Sequence, residues 1–248
     1  KVLSGMSNKE LEDAGVKNIK AHVQTLNTSQ LEHILEKSEK FNEVEKAQIR
    51  EARFAPLKGA LSTSVSTAAS PTATPAEKAA AKKAAKDAVR SLEAKEVELH
   101  GPFDGSKPEH QEFIGHMKAS QVESLLKSQR ITQSQRDIIK KERTRPFTEV
   151  VDTLRVTPAG AAITPGLLAE LKTRVDALSP KEVASLENSY LLEPEVLKLL
   201  GPDKLKELPE GKDDATRKSI GDFIRITVGA THPAHKYVTV GAGRSFFG

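Results

Sequence analysis

The chain of 248 residues contains no cysteine and no tryptophan. Without cysteine there is no disulfide framework, no thiolate zinc site and no cysteine nucleophile. The same absence fits either side of a membrane, so it assigns no compartment. Aromatic residues are scarce at 4%. Any core must therefore be assembled from Leu, Ile, Val and Ala, which favours several small helical cores over one thick sandwich or barrel. No apolar run approaches the roughly 18 residues a membrane-spanning helix needs. Residues 1–25 also lack the basic, apolar and small-residue succession of a signal peptide.

What the chain has in quantity is charge, with 29% Asp, Glu, Lys and Arg against 37% hydrophobic residues. The net charge of +4 hints at nucleic acid until it is located. Of 38 basic and 34 acidic residues, five bases and one acid (Asp222) fall in residues 215–248, which leaves 33 of each elsewhere. A balanced mixture of signs along helices is a solvated face. A phosphate-binding surface needs local positive charge to release counterions, and only the tail has it.

The informative feature is an internal repeat. Met6-Ser7-Asn8-Lys9-Glu10-Leu11 is echoed by Leu92-Glu93-Ala94-Lys95-Glu96-Val97 and again by Leu178-Ser179-Pro180-Lys181-Glu182-Val183, with 86 residues between copies each time. Downstream, Ser29-Gln30-Leu31 matches Ser120-Gln121-Val122. Ser29 and Ser120 are placed to cap a helix, with Glu32 and Glu123 three residues on completing a capping box. Leu31, Ile34 and Leu35, like Val122, Leu125 and Leu126, then form an i, i+3, i+4 apolar stripe. In the third copy Asp203 takes the cap position and Leu205 and Leu208 the stripe.

A second helix follows in each copy. Phe41, Ile49 and Arg53 match Ile131, Ile139 and Arg143, and Asn42 with Glu45, or Thr132 with Gln135, starts it. Asp213 or Asp214 opens the shorter third version, which carries Ile220, Phe223 and Ile224. Each copy thus ends in an αα-hairpin. Residues 75–90 and 165–177 predict a further helix before the second and third copies, each with Pro at its first turn. The first copy would need its equivalent before Lys1. A processed product and an excerpt of a longer polypeptide both fit; the missing helix makes the excerpt the expectation.

Residues 60–76 form a Ser/Thr/Ala/Pro segment that composition assigns to an extended, mobile connector. Residues 156–166 form a shorter joint. The end of the chain departs from the helical pattern: 224–228 and 237–240 alternate as β-branched runs, predicting a hairpin or an arm that adds to a neighbour. The organisation expected is all-α: repeat units at 1–59, 77–155 and 167–224, linkers at 60–76 and 156–166, and a short β-like arm at 225–248.

No arrangement of residues announces chemistry. His232 and His235 form a short pair that lacks further ligands. His110 and His116, in a polar stretch, are expected on the surface. Gly241-Ala242-Gly243-Arg244 is too short for a dinucleotide fingerprint. The recurring Lys–Glu dyads (Lys9-Glu10, Lys95-Glu96, Lys181-Glu182) suit a helix-start salt bridge better than a catalytic site in triplicate. The cations Arg50, Arg53, Arg136 and Arg143 suit the C-terminal end of their own helices. No catalytic residue, cofactor or metal is assigned. The function expected is that of a non-enzymatic structural or interaction protein, a scaffold component of a large complex such as a virion or secretion apparatus. Its partners would be other protein subunits, including copies of itself, bound through Arg225, Lys236, Tyr237, Arg244, Phe246 and Phe247 of the tail. The alternative is a nucleic-acid-associated protein using the same basic tail.

Overall fold

The computed structural model describes residues 3–156, 163–191, 193–200 and 204. Among them every regular element is helical, with no strand. A 3-10 turn at Leu3–Gly5 leads into α1 (Asn8–His22), a second 3-10 turn (Val23–Thr25) and α2 (Thr28–Glu32), which runs on as a π-helical stretch, His33–Lys37. The long α3 (Glu43–Ala69) follows, then α4 (Pro75–Ser91), α5 (Ala94–His100), α6 (Pro108–His116), α7 (Ala119–Lys127) and the long α8 (Gln133–Arg155). The described chain continues with α9 (Pro165–Ala177), α10 (Pro180–Ala184), α11 (Asn188–Leu191) and α12 (Pro194–Leu199).

The helix starts follow local chemistry. Asn42 caps α3 and Glu45 returns the bond to its backbone, as the spacing predicts. The Thr132 hydroxyl accepts from Gln135 N–H at the start of α8. α4 and α9 begin with Pro75 and Pro165 behind threonine caps, where the missing N–H costs nothing. Two starts differ from expectation. α2 is capped by Asn27 with Gln30, not by Ser29 with Glu32, and α7 starts behind Lys118 with Gln121 accepting from its N–H. Inside α1 the chain turns at Gly15, whose φ of 74° belongs to the left-handed region.

The chain divides into two compact units, 1–139 and 140–248. The core of the first takes Leu31 and Ile34 from the first sequence copy and Val122 and Leu125 from the second, together with Ile49, Phe54 and Leu61 of α3. These copies therefore share one core instead of folding around two. The second unit has its own, in which Phe147 and Val151 from the later turns of α8 join Leu171 and Val175 of α9 and Val183, Leu191 and Leu197.

Residues 60–69 are not a connector: they continue α3, and only residues 70–74 leave the helix before α4. The reason is burial. Leu57, Leu61 and Ser64 lie on one face at helical spacing and are all buried, so the polar composition belongs to the outer face. Pro56 inside α3 cannot donate to the Ala52 carbonyl. Gln24 repairs the gap, its Nε2 donating to the Ala52 and Arg53 carbonyls at 3.0 and 2.9 Å. Pro146 stands at the matching point of α8. The joint at 156–166 lies mostly outside the described residues, as does the arm at 225–248.

Candidate functional site

The chemistry that recurs is structural, and its ion pairs join one sequence copy to the next. In α5 and α10 the third-position glutamates, Glu96 and Glu182, accept from the N–H of Glu93 and Ser179 through Oε2. Their Oε1 atoms each take a guanidinium from a long helix of the preceding copy. Arg53 of α3 reaches Glu96, and Arg143 of α8 reaches Glu182 at 2.7 Å. Both pairs are largely buried, with 15% and 7% exposure for Arg53 and Glu96 and 4% and 11% for Arg143 and Glu182. In the second and third copies the glutamate of the recurring dyad thus pairs with an arginine of another helix.

The arginines do not serve the ends of their own helices. Arg50 donates to the Leu99 carbonyl, Arg90 to His116, and Arg143 to Ala177, while Arg136 takes both Leu126 and Ser128. In each case a cation meets the orphan carbonyls at the C-terminal end of a different helix, where the dipole favours it.

A glutamine supplies a third recurring contact. Gln30 accepts from Asn27 N–H and donates to the carbonyls of Leu3 and Met6, both at 2.9 Å. Gln121 accepts from Lys118 N–H and donates to Val89 and Leu92, at 3.0 and 2.8 Å. One amide thus starts its own helix and meets the last carbonyls of an earlier element, the 3-10 turn at Leu3–Gly5 for Gln30 and α4 for Gln121. In the third copy Lys204 stands at the position of these glutamines and donates to the carbonyl of Val175, the counterpart of Val89. Burial lowers the pKa of its ammonium.

Beside these lies an ion cluster in the first unit. Lys95 Nζ is 3.3 Å from Glu36 and Glu98 and 3.7 Å from Glu32. Arg130 adds its guanidinium to Glu36 and Glu98. With Lys37, 3.2 Å from Glu32, three carboxylates here meet three cations across α2 and its π-helical continuation, α5 and the α7–α8 turn.

The histidines expected on the surface are inside. His116 is buried and shares a hydrogen bond with Glu112, which also accepts from the buried Ser64. These two bonds hold the Glu112 pKa down to about 2. His110 is half-buried beside His100 and Phe103. His100 itself lies between Phe54 and Phe113, at centroid distances of 5.1 and 4.8 Å. Only Phe103 is a near neighbour in sequence, while Phe54 and Phe113 come from α3 and α6.

An open groove at the α3–α4 turn, with a volume of about 660 Å3, is lined by hydroxyls of Thr63, Ser66, Thr67, Ser70 and Thr72, with Glu77 and alanines. It contains no histidine or lysine to serve as a base. Among the described residues no group of three or more His, Asp or Glu could hold a metal ion, and no helix is long and apolar enough to cross a membrane. Arg225, Lys236, Tyr237, Arg244, Phe246 and Phe247, with His232, His235 and the cap Asp203, lie outside the described residues. No family model, curated protein or solved structure matches the chain.

Proposed function

We propose that the chain is a non-enzymatic structural or interaction protein in which three tandem helical-hairpin units act as a scaffold within a larger assembly. The observation that carries this reading is the recurrence of the same contacts at matching positions: Arg53–Glu96 with Arg143–Glu182, and Gln30 with Gln121. The arginine–glutamate pairs join one copy to the next, and the glutamine contacts tie helix ends together within a copy. Tandem helical repeats commonly serve as surfaces that bind other proteins. The tail residues Arg225, Lys236, Tyr237, Arg244, Phe246 and Phe247 form the arm that docks on a neighbouring subunit.

Size-exclusion chromatography with light scattering tests this on the intact chain and on one ending at residue 224. The expected result is a defined oligomer that falls to monomer on truncation. A monomer in both cases overturns self-assembly through the arm. Salt-dependent retention on nucleic acid, lost when residues 215–248 are removed, would replace this reading by the alternative based on the basic tail.

A further inference from the structure

We propose that the turn carrying Phe103 is an acid-operated latch, in which proton uptake by His100 and His110 releases residues 101–107 from the core of the first unit.

The turn leaves α5 at Gly101, whose φ of 110° only glycine adopts without strain. It then drives Phe103 into the core, where the ring is 2% exposed and stacks on His100 at 5.8 Å. Three side chains hold it there. Gln135 accepts from Phe103 N–H at 2.6 Å and donates to its carbonyl at 2.7 Å. Gln111 donates to the Gly105 carbonyl. His110 Nδ1 accepts from Asp104 N–H at 2.8 Å.

Two of the groups around this turn are neutral only by virtue of the fold. Both ring nitrogens of His100 are buried and have no hydrogen-bond partner, so an imidazolium there would carry two unsatisfied donors among phenyl rings. Burial accordingly holds the His100 pKa down to about 4. His110 is lowered too, first by burial and then by Lys107. Its Nδ1 can accept the Asp104 N–H only while unprotonated, so a proton on that atom breaks the bond. The surrounding charges do not rescue either cation. Arg50, Lys58 and Lys107 are offset by Glu51, Asp104 and Glu109, three against three from α3, the turn and α6.

The glutamine contacts keep the turn shut at neutral pH, because opening must break them as well. The open state binds protons that the closed state refuses, and each such histidine raises the opening constant by up to about tenfold per pH unit below its ordinary range.

Two measurements on the intact chain decide the matter. Hydrogen exchange of the Phe103 and Asp104 amides is expected to show protection factors that fall at least about tenfold from pH 7 to pH 5 in the native protein. They should stay level in His100→Phe combined with His110→Asn, which keeps a ring and an Nδ1-like acceptor without titration. Equal losses in both proteins, or no loss in either, would overturn the latch. NMR titration of the two imidazoles in the unsubstituted protein decides independently of whether the variant folds. Ordinary titration of His100 near pH 6.5 in the folded state sinks the proposal, and refusal of the proton until the turn opens upholds it.

Discussion

The two compact units bury apolar surface in the same way but differ in what they bury beside it. In the second unit the described core is aliphatic, with Phe147 as its aromatic member. The first unit adds imidazoles and amides to its core, and it contains all five histidines among the described residues. Both units nevertheless share the arginine–glutamate pair, at Arg53–Glu96 and Arg143–Glu182. The comparison separates two roles of polar burial. The shared pair fixes how one copy follows another, whereas the histidines among the described residues, all in the first unit, make its core answerable to protons.

The largest expected effect tests whether the first two sequence copies form one core. Leu31 and Val122 are 0% and 2% exposed and lie in the same cluster. Leu31→Asp and Val122→Asp each bury an unpaired carboxylate and remove apolar volume, so each should cost about 4 kcal/mol or more. Both should depress the same unfolding transition. Circular dichroism melts that show each variant losing a different, separable transition would restore the picture of independent hairpins.

Next in size is the pair common to the two units. Arg53→Ala and Arg143→Ala leave Glu96 and Glu182 with a mostly buried, uncompensated charge, at about 3 kcal/mol each. Combining Arg53→Met with Glu96→Gln removes both charges while keeping the cap on Glu93 N–H, and should recover most of the loss. Denaturant titrations of the single and combined variants measure this. A combined variant no better than Arg53→Ala would show that the ion pair itself, and not relief of a stranded charge, holds the copies together.

Acid should then distinguish the units. His100 titrates at about 4 in the fold and near 6.5 when unfolded. Because the unfolded chain binds the extra proton, the contribution is complete above about pH 6.5 and is lost as pH falls through about 4, amounting to about 3 kcal/mol. Glu112 gives the first unit a second, lower window. Its contribution is present above its ordinary range and lost as pH falls toward about 2. Residue-resolved exchange between pH 7 and pH 4 should therefore show the first unit weakening while the described helices of the second keep their protection.

Much of the helical organisation was legible because short-range chemistry announces it: Asn42 with Glu45, Pro75 after Thr74, and the Leu31–Ile34–Leu35 stripe all sit where their spacing places them. Residues 60–69 were misread because Ser, Thr and Ala dominate the composition, while the period Leu57, Leu61, Ser64 carries the burial. His100 was invisible for a different reason. Its environment is made by Phe54 and Phe113, contacts that no local window contains. The arginines matched across the repeat, but their partners are carbonyls and carboxylates on other helices, so position in sequence suggested a dipole role on the wrong helix.

The glutamine contact gives the smallest of these effects and the finest test of the repeat. Gln30 and Gln121 were visible as matched residues, yet only the fold shows that each serves two helix ends. Gln121→Leu keeps the volume but strips partners from Lys118 N–H and from the Val89 and Leu92 carbonyls. Where those groups regain water the loss is small, and where they stay buried it approaches about 2 kcal/mol. Gln30→Leu, with the same geometry toward Leu3 and Met6, should match it within about 0.5 kcal/mol if the positions are equivalent in energy as well as in sequence. Lys204→Met removes one donor whose ammonium burial already disfavours, so it should cost less than either. Chemical denaturation of the three variants that found Lys204→Met the most damaging would mean that the third copy depends on this contact more than the first two, against the equivalence that the repeat implies.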